Sequence, residues 1–138
     1  MIFEPRGEYD GMSYSYKNEN PYSKEVDDCV IRAIATAMGK TWDEVFLDLM
    51  VYAFAAKDLP NANVVWSEYL TNNGFIRKIL PNTCPICYTV NDFVHDNRKG
   101  VFIVGDGAHV VAVVDGYYVD TFDSGDRTVL FSFERTRR

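Results

Sequence analysis

Gly100-Val-Phe-Ile-Val-Gly-Asp-Gly-Ala-His-Val-Val-Ala-Val-Val-Asp-Gly-Tyr-Tyr-Val-Asp-Thr-Phe122 decides how this chain folds. Its apolar runs, Val101–Gly105, Ala108–Val114 and Tyr117–Phe122, are rich in β-branched and aromatic residues and are separated by turn formers, which is the punctuation of a sheet. Val129–Phe133 adds a fourth run. Asp115-Gly116 is a strong two-residue hairpin signal, because both residues tolerate the positive φ that a primed turn needs. That turn sets the register: Val114 faces Tyr117, and residues whose numbers sum to 231 lie opposite one another. His109 then faces Phe122, and Asp120 faces Val111. With a pleat of period two, all four point to one side, which makes Asp120 the diagonal neighbour of His109. Asp115 and Asp123 fall on the other parity. By the same count Tyr118 shares the His109 face and is a candidate wall for an acyl pocket.

Working back toward the N-terminus, the period changes to that of helices. Asp27-Asp-Cys-Val-Ile-Arg-Ala-Ile-Ala-Thr-Ala-Met-Gly39 has acidic residues at its start and Gly just past its end, so it reads as a helix opening at Cys29. Its apolar side chains cover nearly the whole circumference, which predicts burial on most sides. Thr41 and Glu44 form a capping-box pattern for a second helix running to about Lys57, before Pro60. Val64 to Asn72 reads as a third helix, Phe75 to Leu80 as a short strand and Thr89 to Asn97 as a short helix. Helices first and antiparallel strands afterwards predict an α+β fold, in which a helical half (residues 27–80) packs on a C-terminal antiparallel sheet (residues 100–134). Residues 1–25 are polar and rich in Tyr and turn formers; patches at Ile2–Phe3 and Met12–Tyr16 suggest a hairpin turning at Asp10-Gly11.

At 138 residues, without repeats or linkers, residues 1–138 read as a single domain. Fourteen Lys and Arg against twenty Asp and Glu give a net charge of −6, which argues against nucleic acid or an anionic membrane as partner. The one basic cluster, Arg135, Arg137 and Arg138, reads as a charged tail. No run approaches the length of a membrane span, and the first residues lack the basic start and apolar run of a secretory signal. Three cysteines make no disulfide framework, so a reducing cytoplasm is the expected compartment.

Chemistry gathers around Cys29, His109 and Asp120. Taken singly, a Cys in an apolar helix is a small core hydrophobe, and a His on a strand is structural. Together they meet the needs of thiol catalysis. A helix N-terminus and a neighbouring imidazolium acidify the thiol, His109 serves as base and then acid, and Asp120 holds its tautomer. The Cys29 backbone N–H supplies one oxyanion donor. His95, between Val94 and Asp96, reads as surface. Trp42, Trp66 and Tyr117 read as packing residues. Cys84-Pro-Ile-Cys87 reads first as structural thiols, next as a redox disulfide, and last as half of a zinc site, because further ligands are scattered.

Asp27-Asp-Cys-Val-Ile-Arg-Ala-Ile-Ala and, much later, Gly107-Ala-His-Val-Val-Ala-Val-Val-Asp-Gly-Tyr-Tyr-Val-Asp-Thr-Phe-Asp-Ser-Gly resemble papain-like cysteine peptidases of the small bacterial and phage type. The resemblance spans about Asp27 to Gly125, with two sharply matched blocks. It implies a papain-like fold, Cys29 as nucleophile, His109 as base, Asp120 as orienting acid, a peptide or protein substrate and no cofactor or metal. The chain departs from the family pattern before the nucleophile, where Ser23-Lys-Glu-Val-Asp-Asp28 contains no Gln to act as second oxyanion donor. Asn20 or Ser23 are the stand-ins at comparable distance. Asp27 and Asp28 also set negative charge beside the thiol, with Arg32 one turn on to absorb it. Two other readings stay open: acyl transfer to an amine by the same three groups, and a catalytically degenerate fold serving as a protein-interaction module.

Overall fold

A computed structural model describes residues 13–136 of the chain. Its elements in chain order are β1 (Tyr14–Tyr16), α1 (Cys29–Met38), α2 (Trp42–Ala56), α3 (Asn63–Asn72), β2 (Phe75–Ile79), α4 (Val90–Asp96), β3 (Val101–Gly105), β4 (Val110–Val114), β5 (Tyr117–Asp120) and β6 (Phe131–Arg135). The α+β class is as the sequence indicates. The local helix signals are realised as well. No residue of α1 is fully exposed, and Gly39 closes the helix in the left-handed region at φ 66°. Thr41 and Glu44 make both bonds of a capping box at the start of α2, and Thr89 and Asp92 do the same for α4.

All six strands belong to one sheet, in the order β1-β5-β4-β3-β6-β2. Across the Asp115-Gly116 turn, Val114 lies opposite Tyr117, Val113 opposite Tyr118 and Ala112 opposite Val119, the register that the turn dictates. Three features differ from the sequence expectation. The sheet is mixed, because β1 runs parallel to β5, with Tyr14 opposite Tyr118 and Tyr16 opposite Asp120. The expected N-terminal hairpin has its first patch and its turn outside the described residues. Its second patch contributes β1 to the far sheet edge. The short strand expected at Phe75 to Leu80 forms as β2, but it joins the C-terminal sheet, antiparallel to β6 on the opposite edge, so the sheet extends beyond residues 100–134. The last strand lies two residues further along than expected, at Phe131–Arg135. Within it Arg135 donates to the Ala37 carbonyl at 3.0 Å, so this residue of the basic cluster ties β6 to the end of α1.

Both faces of the sheet are covered. On one, Val101, Ile103, Val110, Ala112 and Phe133 pack against Ile34 of α1, Val45 and Leu49 of α2, and Trp66 and Leu70 of α3. On the other, Phe102, Val104, Val111, Val113 and Tyr118 pack against Val90, Phe93 and Val94 of α4. Strands buried on both faces lose the apolar–polar alternation, which is why Val110–Val114 reads as a continuous apolar run. Among the described residues, no helix is long and apolar enough to cross a membrane.

Candidate active site

The site forms where the N-terminus of α1 meets the β4–β5 hairpin at the end away from its turn. Asp28 occupies the N-cap of α1 without a side-chain capping bond, so no side chain claims the first-turn amides. Its carboxylate turns aside instead. Arg32 Nε donates to Asp28 Oδ1 at 2.7 Å, and Trp42 Nε1 donates to Oδ2 at 2.9 Å. The charge beside the thiol is thereby absorbed, and Trp42, stacked on Phe46 at 5.2 Å between ring centroids, is more than packing.

Arg32 then reaches across to the sheet. Its Nη1 donates to Asp120 Oδ1 at 2.8 Å, and the Thr121 N–H donates to the same oxygen at 2.8 Å. Asp120 Oδ2 takes the Ser124 hydroxyl at 2.8 Å and stands 2.7 Å from His109 Nε2. Four donors thus fix a carboxylate whose side chain is 1% exposed. Burial pushes the Asp120 carboxyl up. The bonds from His109, Ser124 and Arg32 outweigh that and hold it below the usual range.

With Nε2 engaged by Asp120, the other ring nitrogen of His109 is left for Cys29, whose thiol is hydrogen-bonded to the His109 side chain and to the backbone of Val110. Burial pushes the thiol up, but these bonds and the charges of His109 and Arg32 more than reverse it, so Cys29 titrates below its ordinary value. Burial also opposes a charged imidazole. Asp120 and Cys29 nevertheless raise His109 to about 9. The two shifts share one cause: thiol and imidazole each favour the charged form of the other, and the anchored carboxylate favours the imidazolium.

The structure therefore brings Cys29, His109 and Asp120 together. Phe122 lies beside the imidazole, at 5.1 Å between ring centroids. Asp115 and Asp123 are spent elsewhere, on the Gly100 N–H and on the Tyr118 hydroxyl and Gly125 N–H respectively. Tyr118 does not line the cleft. It packs on the α4 face, because the paired ladder ends at Ala112 and Val119, and beyond it His109 and Asp120 turn to α1. His95 is exposed, as its polar helix suggests.

Sequence reasoning missed Ser124, although the Asp123-Ser-Gly turn four residues after Asp120 is a signal for it. It also missed the opposite wall. Cys29 and His109 open on a cleft of about 200 Å³ bordered by Asp27, Asn61, Asn63, Trp66, Gly107 and Ala108. Asn20 and Ser23 do not border it. Asn20 is buried and binds the Tyr22 N–H, whereas Ser23 is exposed. A larger cavity, about 460 Å³, lies by α4 and residues 80–88, with Leu80, Ile86, Phe93 and Phe102 among its walls; neither Cys29 nor His109 lines it.

Cys84 and Cys87 are joined in a disulfide rather than standing as the expected pair of thiols. The turn at Thr83–Ile86, closed by a 3.1 Å backbone bond, carries the two sulfurs to the same side. The pairing weakens the argument from cysteine count to a reducing compartment. It leaves Cys29 as the free cysteine. Among the described residues, no three His, Cys, Asp or Glu side chains converge as a metal site. No protein-family model, curated protein or solved structure matches this chain.

Proposed function

We propose that the protein is a papain-like thiol hydrolase acting on peptide or amide bonds. The observation that carries this reading is the continuous chain Cys29–His109–Asp120, with the thiol in the first turn of α1 and the far imidazole nitrogen 2.7 Å from an anchored carboxylate. A thiolate in that position attacks a substrate carbonyl carbon, and the carbonyl electron pair moves onto oxygen. When the C=O bond re-forms, the amine leaves with the proton that His109 held. His109, now neutral, takes a proton from water as the water adds to the thioester. The tetrahedral intermediate then re-forms its C=O bond and expels the Cys29 thiolate, His109 keeps the proton as imidazolium, and the carboxylic acid is released. An amine in place of water would give acyl transfer with the same groups.

The test is the rate of iodoacetamide alkylation at Cys29 against pH, read by peptide mass spectrometry, in wild type and His109→Ala. The expected wild-type protein alkylates well below neutral pH. In the variant that limb disappears, and reaction follows an ordinary thiol near pH 8.5. A Cys29 that is inert, or titrates as a free thiol in both proteins, overturns the reading. A second reading, a non-catalytic interaction module, draws on the exposed stripe Leu47, Met50, Val51 and Phe54 along α2. That outcome of the alkylation test would favour it.

A further inference from the structure

Attack on a carbonyl leaves a negative oxygen that needs donors beside the nucleophile, and the Cys29 N–H is only one. Neither upstream stand-in supplies a second, because Asn20 and Ser23 do not border the cleft. On the far wall, Asn61 and Asn63 each present a side-chain amide. Their situations differ. Trp66 Nε1 lies 3.1 Å from Asn63 Oδ1. An indole N–H can only donate, so it fixes which end of the Asn63 amide is oxygen and which is nitrogen. Trp66 is itself immobilised, 2% exposed and packed on Phe131 and Phe133 at 5.9 and 5.3 Å between ring centroids. With its oxygen held there, Asn63 Nδ2 points toward Gly107, two residues before His109; a Cβ on Gly107 would stand 3.6 Å from it. Among the described residues, no such anchor holds Asn61.

We infer that Asn63 is the second oxyanion donor, supplied from the start of α3 across the cleft and oriented by the Trp66 indole. The inference rests on the thiol-hydrolase reading. In the step it serves, the Cys29 sulfur forms its bond to the carbonyl carbon, the C=O π pair becomes the oxyanion, and Asn63 Nδ2–H and the Cys29 N–H donate to it. Gly107 sits at φ +90°, a conformation that favours glycine, and even a Cβ there would meet the amide only at ordinary van der Waals distance, so the approach is clear.

Two reagents separate this role from that of the thiolate. Alkylation by iodoacetamide is a displacement at a saturated carbon and makes no oxyanion. Acylation by p-nitrophenyl acetate passes through one. Both rates are measured at Cys29 in wild type, Asn63→Ala and Asn63→Asp. In Asn63→Ala, acylation should fall about 100-fold while alkylation changes by less than about 3-fold. Asn63→Asp keeps the acceptor for Trp66 but faces the oxyanion with a carboxylate, so it should acylate more slowly still. Acylation that survives in Asn63→Ala, or is restored in Asn63→Asp, overturns the inference, the latter by showing that Asn63 merely seats Trp66. Alkylation falling as far as acylation in both variants also overturns it, since the damage is then to the thiolate. A wild type that alkylates rapidly at low pH but never acylates overturns the hydrolase reading and this inference together.

Discussion

Arg32→Met removes the guanidinium that links Asp28 at the start of α1 to Asp120 of β5, and its cost can be worked from the geometry. The guanidinium is 11% exposed and bonds two carboxylates whose side chains are 3% and 1% exposed, at 2.7 and 2.8 Å. Stripping the partner from a buried ion pair costs about 3–5 kcal/mol, because the remaining charge is left dry and uncompensated. Here neither acid is left bare: Asp28 keeps Trp42, and Asp120 keeps His109, Ser124 and the Thr121 N–H. The lower end, about 3 kcal/mol, is therefore expected at pH 7. At about 4 °C per kcal/mol for a chain of this size, Tm should fall by about 12 °C. The penalty must also depend on pH. Asp120 titrates below its ordinary value in the fold, so its stabilisation is present above about pH 3.9 and is lost as pH falls through the folded value. Without Arg32 the folded value rises, and protonation relieves the variant sooner than wild type. The gap between the two melts should thus narrow from pH 7 to pH 4. Melts followed by circular dichroism at both pH values decide this. A Tm loss under 3 °C at pH 7, or an equal gap at both, would refute a buried bridge.

Two other expectations are independent of any substrate. In wild type, the proton that folded His109 retains above about pH 6.5 is opposed by the one that folded Cys29 gives up below its ordinary value, so the fall in stability with rising pH is partly offset. Cys29→Ser removes the offset while Asp120 still raises His109, so urea-melt stability should fall as pH climbs from about 6.5 toward 9; a flat profile in the variant would contradict the paired titration. Gly105→Ala places a Cβ against the His109 carbonyl oxygen, at backbone that cannot yield cheaply. It should cost about 2 kcal/mol in chemical denaturation and slow Cys29 alkylation at pH 6 by shifting His109. An unchanged alkylation rate would show that the imidazole is not positioned through this contact.

What the sequence disclosed and what it concealed divide by distance along the chain. Caps, turns and periodicity are local, so Gly39, the Thr41–Glu44 box and the Asp115-Gly116 register could all be read directly; His109 and Asp120 do meet, but by turning toward α1 beyond the end of that ladder, away from the face of Val111 and Tyr118. Direction of strand pairing is not local. Tyr14–Tyr16 alternates identically whether β1 runs with β5 or against it, and nothing nearby marks a partner a hundred residues later. The second sheet face was equally hidden, since a continuous apolar strand does not say which elements cover its two sides. Arg32 was legible as a neighbour for Asp28 at i,i+4 spacing. Its second bond, to Asp120, arises only once helix and hairpin are docked. Asn63 and Trp66 enter the cleft by the same docking, three residues apart on a helix whose own pattern speaks only of packing.

The parallel seam between β1 and β5 also orders events during synthesis. β1 leaves the ribosome before the other described strands, and Cys29 soon after it, yet the strand that receives β1 and the His109 and Val110 groups that bond the thiol lie near residues 109–120. At about 5–20 residues per second, roughly 5–20 s separate the emergence of Cys29 from that of Asp120. Throughout that interval Cys29 is an ordinary thiol on an unfinished chain, largely protonated at neutral pH. A nascent polypeptide of this sequence therefore carries Cys29 as an ordinary thiol until the β4–β5 hairpin has emerged and docked on α1.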